Sequence, residues 1–269
     1  MISENMKSEK KSVRENKLLQ AWNNKKHTLN GWLSIPNAHS AEVMSHAGWD
    51  SLTIDMQHGL IDYHDALSML QAISTTEVVP LVRVPWLDEG VIMKMLDAGA
   101  YGIICPMIST QEQAQRFANA CRYSPRGNRS FGPIRASLYG GPGYADCANE
   151  LVVSFAMIET LEAMENLDAI LSVEELNGVY IGPSDLSMAH GLKPGFDREE
   201  SMMLDVINTV FVKAASAGKY CGIHCATAAY AHRMIEKGAH FVTIGSDMRF
   251  IASGAKSTVG EFNKNNFNS

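Results

Sequence analysis

Basic charge is scarce in this chain, and so are long apolar runs, aromatic side chains and paired cysteines. The 269 residues hold 23 Lys plus Arg against 29 Asp plus Glu, a formal net charge of -6. That balance leaves no clustered cationic footprint for a nucleic-acid surface. No apolar run approaches the roughly 18–20 residues that a membrane-crossing helix needs. The opening residues, Met1-Ile2-Ser3-Glu4-Asn5, carry none of the apolar stretch of a secretory signal, and a cytoplasmic location is expected. The five cysteines (Cys105, Cys121, Cys147, Cys221, Cys225) are an odd number set mostly in apolar segments. They read as reduced, buried thiols, not as a disulfide framework. Three residues separate Cys221 from Cys225, but no second pair follows, so a zinc reading is weak. No Gly-rich dinucleotide loop follows the first strand-like run, which counts against a doubly wound sheet.

What the chain does have is rhythm. With 46% hydrophobic and 19% charged residues it can bury a large core, and its length suits an α/β barrel. Eight apolar, strand-like runs appear at 29–35, 51–55, 78–84, 101–105, 152–158, 178–181, 220–224 and 240–244. Between them lie segments of helical period, such as Ala66, Leu67, Leu70 and Ile73 on one face, or Val91, Ile92, Met95 and Leu96. Several helices end in a glycine suited to the left-handed cap: Gly48, Gly99, Gly218 and Gly238. A helix–Gly–strand unit recurring eight times predicts an α/β fold, a (β/α)₈ TIM barrel. Residues 1–13 are polar and are expected to be disordered, with a helix over 13–24 and a single barrel domain over 14–269. Two stretches break the pattern: a Gly-, Pro- and Arg-rich insertion over 122–150, and a turn over 189–198.

In such a barrel the chemistry collects at the C-terminal ends of the strands. The first polar residues there are Asp55, Gln57 and His58 after the second run, and Arg83 in the third. The fifth run gives Glu159, the sixth Ser184 and Asp185, and the seventh His224. Two carboxylates on consecutive strand ends offer oxygen ligands only. They point to a hard ion, Mg²⁺ or Mn²⁺ with Co²⁺ a further candidate. Each has an alternative as a helix cap. Arg83, inside an apolar strand, needs an anion, either a substrate or a carboxylate such as Asp55 or Glu159. His58, three residues after Asp55, is placed as a general base whose tautomer the acid would fix; the alternative is an inert, hydrogen-bonded histidine. The Arg-rich segment 122–132 could clamp a distal anion or form a subunit contact. No lysine sits at a strand end, which favours a metal route over a Schiff base.

Taken in order, several motifs resemble the HpcH/HpaI aldolase family, class II pyruvate aldolases of the phosphoenolpyruvate/pyruvate barrel superfamily. They are Asp55-Met56-Gln57-His58-Gly59, Val82-Arg83-Val84-Pro85-Trp86, Pro106-Met107, the stretch from Arg122-Tyr123 to Gly132, Ile158-Glu159-Thr160 and Gly182-Pro183-Ser184-Asp185-Leu186. The similarity runs from about Gly31 to Ala252. It implies Glu159 and Asp185 as metal ligands, Arg83 on the pyruvate keto oxygen, and His58 with Asp55 as the acid–base pair. The backbone N–H groups of Ser184 and Asp185 would receive the pyruvate carboxylate. Trp32, Gln57, Gly182, Pro183 and His224 join them as expected substrate contacts. The family also implies a homo-oligomer, a trimer or a hexamer, with a C-terminal helix exchanged between subunits. Two positions depart from the common pattern, with Gln57 where many members have Glu and Met157 where many have Gln.

The reaction so implied is reversible aldol cleavage of a 4-hydroxy-2-oxo acid to pyruvate and an aldehyde, with no nucleic-acid or membrane partner. A malyl- or citramalyl-type thioester lyase and oxaloacetate-directed enolate chemistry are the alternatives within the class. A coenzyme A site would draw on the basic stretch 122–135. A non-catalytic 2-oxo-acid binder is the alternative outside it.

Overall fold

The computed structural model describes residues 12–265. The expected disordered segment therefore lies outside the described residues, apart from Ser12 and Val13. Eight parallel strands close into a barrel in chain order: β1 (Thr28–Leu33), β2 (Ser51–Asp55), β3 (Val79–Arg83), β4 (Gly102–Cys105), β5 (Val153–Ile158), β6 (Gly178–Ile181), β7 (Tyr220–Cys225) and β8 (Phe241–Ile244). All eight expected runs are strands, each trimmed by a residue or two at most at either end, or extended by one. Helices lie between them, and no described helix is long and apolar enough to cross a membrane. The four glycines expected to end helices adopt positive φ, from 67° at Gly218 to 116° at Gly238, a conformation that costs glycine little.

The period of two decides which residues face the barrel axis. Leu52, Ile54, Val82, Ile103, Val179 and Val242 point outward into the layer shared with the helices. Leu81, Ile104, Phe155, Tyr180 and Phe241 point inward and fill the interior. At one end of each strand that inward row becomes polar. Trp32, Asp55, Arg83 and His224 are the last or next-to-last inward members of β1, β2, β3 and β7, and Glu159 follows β5. The site is thus the top layer of the core.

The other end of the barrel is stoppered. The first helix, Lys17–Asn23, is capped by Asn16, whose side chain accepts from the Leu18 N–H. Leu18 and Trp22 are buried in the interior cluster. The Trp22 indole meets Phe155 edge-on at 5.6 Å and Tyr220 at 4.8 Å, and its N–H donates to Thr28 Oγ1. Asn16 reaches across to the carbonyls of Tyr101 and Leu151.

The insertion over 122–150 is not the open loop that its composition suggested. It contains two helices, Ile134–Gly140 and Tyr144–Leu151. Its arginines are committed within the chain: Arg122 and Arg126 to Glu175, Arg129 to Asp97, and Arg135 to the carbonyls of Ala98 and Leu70. Arg122 also donates to Asn177, one residue before β6 begins. These contacts lie at the N-terminal ends of the strands, away from the strand ends where Asp55 and Arg83 meet.

Candidate active site

A cavity of about 630 Å³ opens at the C-terminal ends of the strands. Its walls include Trp32, Asp55, His58, Arg83, Gly182, Pro183, Ser184, Asp185 and His224. All of these were expected from the sequence. Gln57 is not among the lining residues; its backbone N–H donates to Asp55, and its side-chain Oε1 is buried without a partner. Met157 does line the cavity, and puts a thioether where a polar group was the common pattern.

Asp55 and Arg83 stand opposite each other in the β2–β3 register. Arg83 Nε and Nη2 donate to the two carboxylate oxygens at 2.8 and 2.7 Å, a bidentate pair that fixes both planes. Asp55 also accepts from Trp32 Nε1 at 3.1 Å and from the backbone N–H groups of Gln57 and His58. Burial works to raise its pKa, yet the Arg83 bonds and charge, with Trp32 and the backbone, outweigh it and hold the carboxyl below its ordinary value. The Trp32 ring lies under the guanidinium at 4.9 Å. Arg83 Nη1 has no protein partner among the described residues, leaving one edge free for a substrate oxygen.

This arrangement corrects one expectation. The five donors on Asp55 belong to Arg83, Trp32 and backbone, and none is the His58 ring. The reason is register: Asp55 and Arg83 point inward at the same height, whereas His58 leaves the strand on the following turn. Asp55 orients Arg83, and it holds His58 through the backbone alone.

Glu159 is almost wholly buried, at 2% exposure, and no cationic side chain bonds to it among the described residues. Its Oε1 accepts from the Met107 N–H at 2.7 Å. Met107 achieves this with φ of 57°, an unusual conformation for a residue with a side chain. Burial, reinforced by the nearby Asp185 charge, raises the Glu159 pKa from 4.5 to about 7. Glu159 does not cap a helix, since Thr160 caps the next one by accepting from the Ala163 N–H. Asp185 sits in the first turn of the helix Pro183–Ala189 and makes no capping bond. Gly182 lets the two approach: a Cβ there would lie 2.4 Å from Glu159 Oε2.

Three contributors were not singled out from the sequence. Tyr180 lies two residues before Gly182 on the inward row, and strict use of the period would have found it. Phe196 and Arg249 enter the wall from a loop and from the last helix, where no periodicity applies. Met107, in the Pro106-Met107 motif, acts through its backbone.

Fold and cavity together define a barrel enzyme with its chemistry at the strands' C-terminal ends. The model of the HpcH/HpaI aldolase/citrate lyase family matches residues 30–253, and the chain belongs to that family. It is accordingly a carbon–carbon lyase. It is 44% identical over 246 residues to a hydroxypyruvate/pyruvate aldolase of Rhizorhabdus wittichii, covering 91% of this chain and 98% of that one. A 4-hydroxy-2-oxo-heptane-1,7-dioate aldolase of Salmonella typhimurium is 38% identical, over 86% and 88% of the two chains. Among solved structures, an HpcH/HpaI aldolase/citrate lyase family protein from Burkholderia cenocepacia superposes with a TM-score of 0.85. It is 26% identical, and the match covers 92% and 99% of the two chains.

Proposed function

We propose that the protein reversibly cleaves a 4-hydroxy-2-oxo acid to pyruvate and an aldehyde, and that the residues gathered above carry the reaction. The observation that carries this reading is the pairing of opposites at one place: Asp185 and Arg83 line the cavity, and Glu159, which is not among the lining residues, lies buried against Gly182 of its wall. Glu159 and Asp185 form an acidic pair, and Glu159 feels the Arg83 charge as well as that of Asp185.

The donor set fits a hard divalent cation. A buried carboxylate beside a second one, with no bonded basic side chain among the described residues, is stable as an ion pair only if a cation joins it. Glu159 and Asp185 would hold Mg²⁺ or Mn²⁺, with Co²⁺ a further candidate. When bound, such an ion supplies Lewis acidity to the 2-oxo group.

The chain's own groups do the rest. The N–H groups of Ser184 and Asp185, in the first turn of their helix, have no intrahelical acceptor and receive the substrate carboxylate. The free edge of Arg83 faces the 2-oxo oxygen. His58 takes the proton from the 4-hydroxyl, the C3–C4 bond breaks, and the electron pair passes into the enolate of pyruvate. The aldehyde departs as the new C=O, and a proton returns to C3. Arg83, already fixed by Asp55 and Trp32, meets the oxyanion without rearranging, and such preorganised charge is often the largest catalytic term.

The same reading includes a cytoplasmic location and a homo-oligomer, a trimer or hexamer, with the last helix exchanged between subunits. Exposed apolar side chains support it: Phe250, Ile251, Val259 and Phe262 on the helix Asp247–Asn265, and Phe131, Ile134 and Leu138 elsewhere.

The test is a pyruvate-release screen over 4-hydroxy-2-oxo acids of varied length and charge. Activity should vanish on exhaustive chelation and return with Mg²⁺ or Mn²⁺. Turnover indifferent to chelator would sink the metal assignment, and no release from any member of the series would sink the reaction.

A further inference from the structure

His224 faces inward near the C-terminal end of β7 and lines the cavity, yet the cleavage derived above does not use it. Its Nδ1 lies 3.4 Å from the Tyr180 hydroxyl. That hydroxyl donates its single proton to Thr243 Oγ1 over 2.7 Å, so it offers Nδ1 a lone pair. Nδ1 therefore carries the imidazole proton, and Nε2 is left as an acceptor.

The orientation is enforced from further inside the barrel. Thr243 Oγ1 also accepts from Asn30 Nδ2 at 3.0 Å. The Asn30 amide cannot turn over, because the hydroxyls of Ser51 and Thr53 donate to its Oδ1 at 2.9 and 3.1 Å. All five of these supporting residues are fully buried. Polar groups in a barrel interior are costly unless satisfied throughout, and this chain of bonds ends at one open atom. His224 Nε2 has no partner among the described residues, while the ring is stacked on Phe196 at 4.6 Å and meets Trp32 edge-on at 5.0 Å. Burial, with the charges of Arg83 and Arg249, pushes the His224 pKa down to about 3. The ring stays neutral at any working pH.

We infer that His224 Nε2 is a specificity-determining acceptor for a hydroxyl group that the substrate carries beyond its 2-oxo-acid core. The inference rests on the aldolase reading. A neutral O–H donor fits: a carboxylate would meet a lone pair, and an alkyl group would leave the nitrogen desolvated and unpaired. The hydroxyl could be borne by the 2-oxo acid, as in hydroxypyruvate against pyruvate, or by the aldehyde, as in glycolaldehyde against acetaldehyde.

The experiment measures kcat/KM for the four aldol pairings of these compounds, with Mg²⁺ supplied, in the wild type and in His224→Phe. Phenylalanine keeps an aromatic ring between Trp32 and Phe196 and removes the acceptor. The preference for the hydroxylated member over its deoxy counterpart should fall about tenfold, in the oxo-acid arm or the aldehyde arm according to which bears the hydroxyl. An unchanged preference in both arms, with turnover intact, overturns the acceptor role and leaves the aldolase reading standing. Absence of turnover for all four pairings in the wild type overturns both. A second measurement is independent of that variant's folding. ¹⁵N NMR of histidine-labelled wild-type protein should show His224 protonated at Nδ1 and bare at Nε2, with the tautomers mixing in Tyr180→Phe. A wild-type ring protonated at Nε2 overturns the inference.

Discussion

A carboxylate taken out of water without a bonded cation is unfavourable, and Glu159 carries that cost in the metal-free protein. Its pKa is raised from 4.5 to about 7, so the folded state binds the proton more tightly than the unfolded one. Stability is highest below pH 4.5 for this group alone and is lost as pH rises to about 7. Metal-free Glu159→Gln should therefore be more stable than metal-free wild type by roughly 2–3 kcal/mol at pH 8 and by under about 1 kcal/mol at pH 5. Denaturant titration at the two pH values checks it; equal differences at both would show that the charge is not the cause. A protonated carboxyl cannot ligate, so metal affinity should also weaken as pH falls below 7. His58 is tested separately. Its removal in His58→Ala should lower kcat by roughly 10²–10⁴ through acid–base chemistry with metal affinity retained, as read by calorimetry alongside the cleavage assay.

Among the elements, the turn from β6 into the helix Pro183–Ala189 is the tightest fit. Gly182 has an ordinary φ of -94°, so alanine is allowed there by the backbone, and its Cβ meets Glu159 Oε2 at 2.4 Å and the flexible Met157 Cε at 2.9 Å. Gly182→Ala should keep the fold, with a melting temperature near wild type, and lose metal affinity by at least tenfold as Glu159 is pushed aside. Unaltered affinity would show that Glu159 has another place to go. The elements were also where the sequence was most and least readable. The apolar runs at 51–55, 78–84 and 178–181 marked the strands, and the glycines at 48, 99, 218 and 238 marked the helix ends because positive φ has few other tenants. Register between neighbouring strands left no such mark. That Asp55 meets Arg83, leaving the His58 ring unbonded to it, depends on how β2 sits against β3, which no local pattern encodes. The 122–150 segment misled for a related reason: its arginines looked free because Glu175 and Asp97 are distant in sequence.

The molecule as a whole leaves its last helix largely uncovered. If the proposed oligomer forms through that helix, a chain truncated after Ser246 should be a monomer by light scattering. It should also lose activity, since Arg249 and Met248 in the cavity wall go with the helix. An unchanged molar mass per subunit count would place the interface elsewhere. Arg126, exposed and paired with Glu150 and Glu175 at the opposite end, provides the contrast. Arg126→Ala should leave KM for every aldehyde within about twofold, because surface ion pairs contribute little and act locally.

The filled interior of the barrel has a kinetic consequence. With Leu81, Ile104, Phe155, Tyr180 and Phe241 packed beneath it, the cavity is a blind well with one mouth. Under the proposed reaction the pyruvate half sits at the floor, against Glu159, Asp185 and Arg83, while the aldehyde half lies toward the rim. Traffic through a single opening must then be sequential: in cleavage the aldehyde leaves before pyruvate, and in synthesis pyruvate enters before the aldehyde. The packed core that stabilises the barrel also sets the order in which its guests come and go.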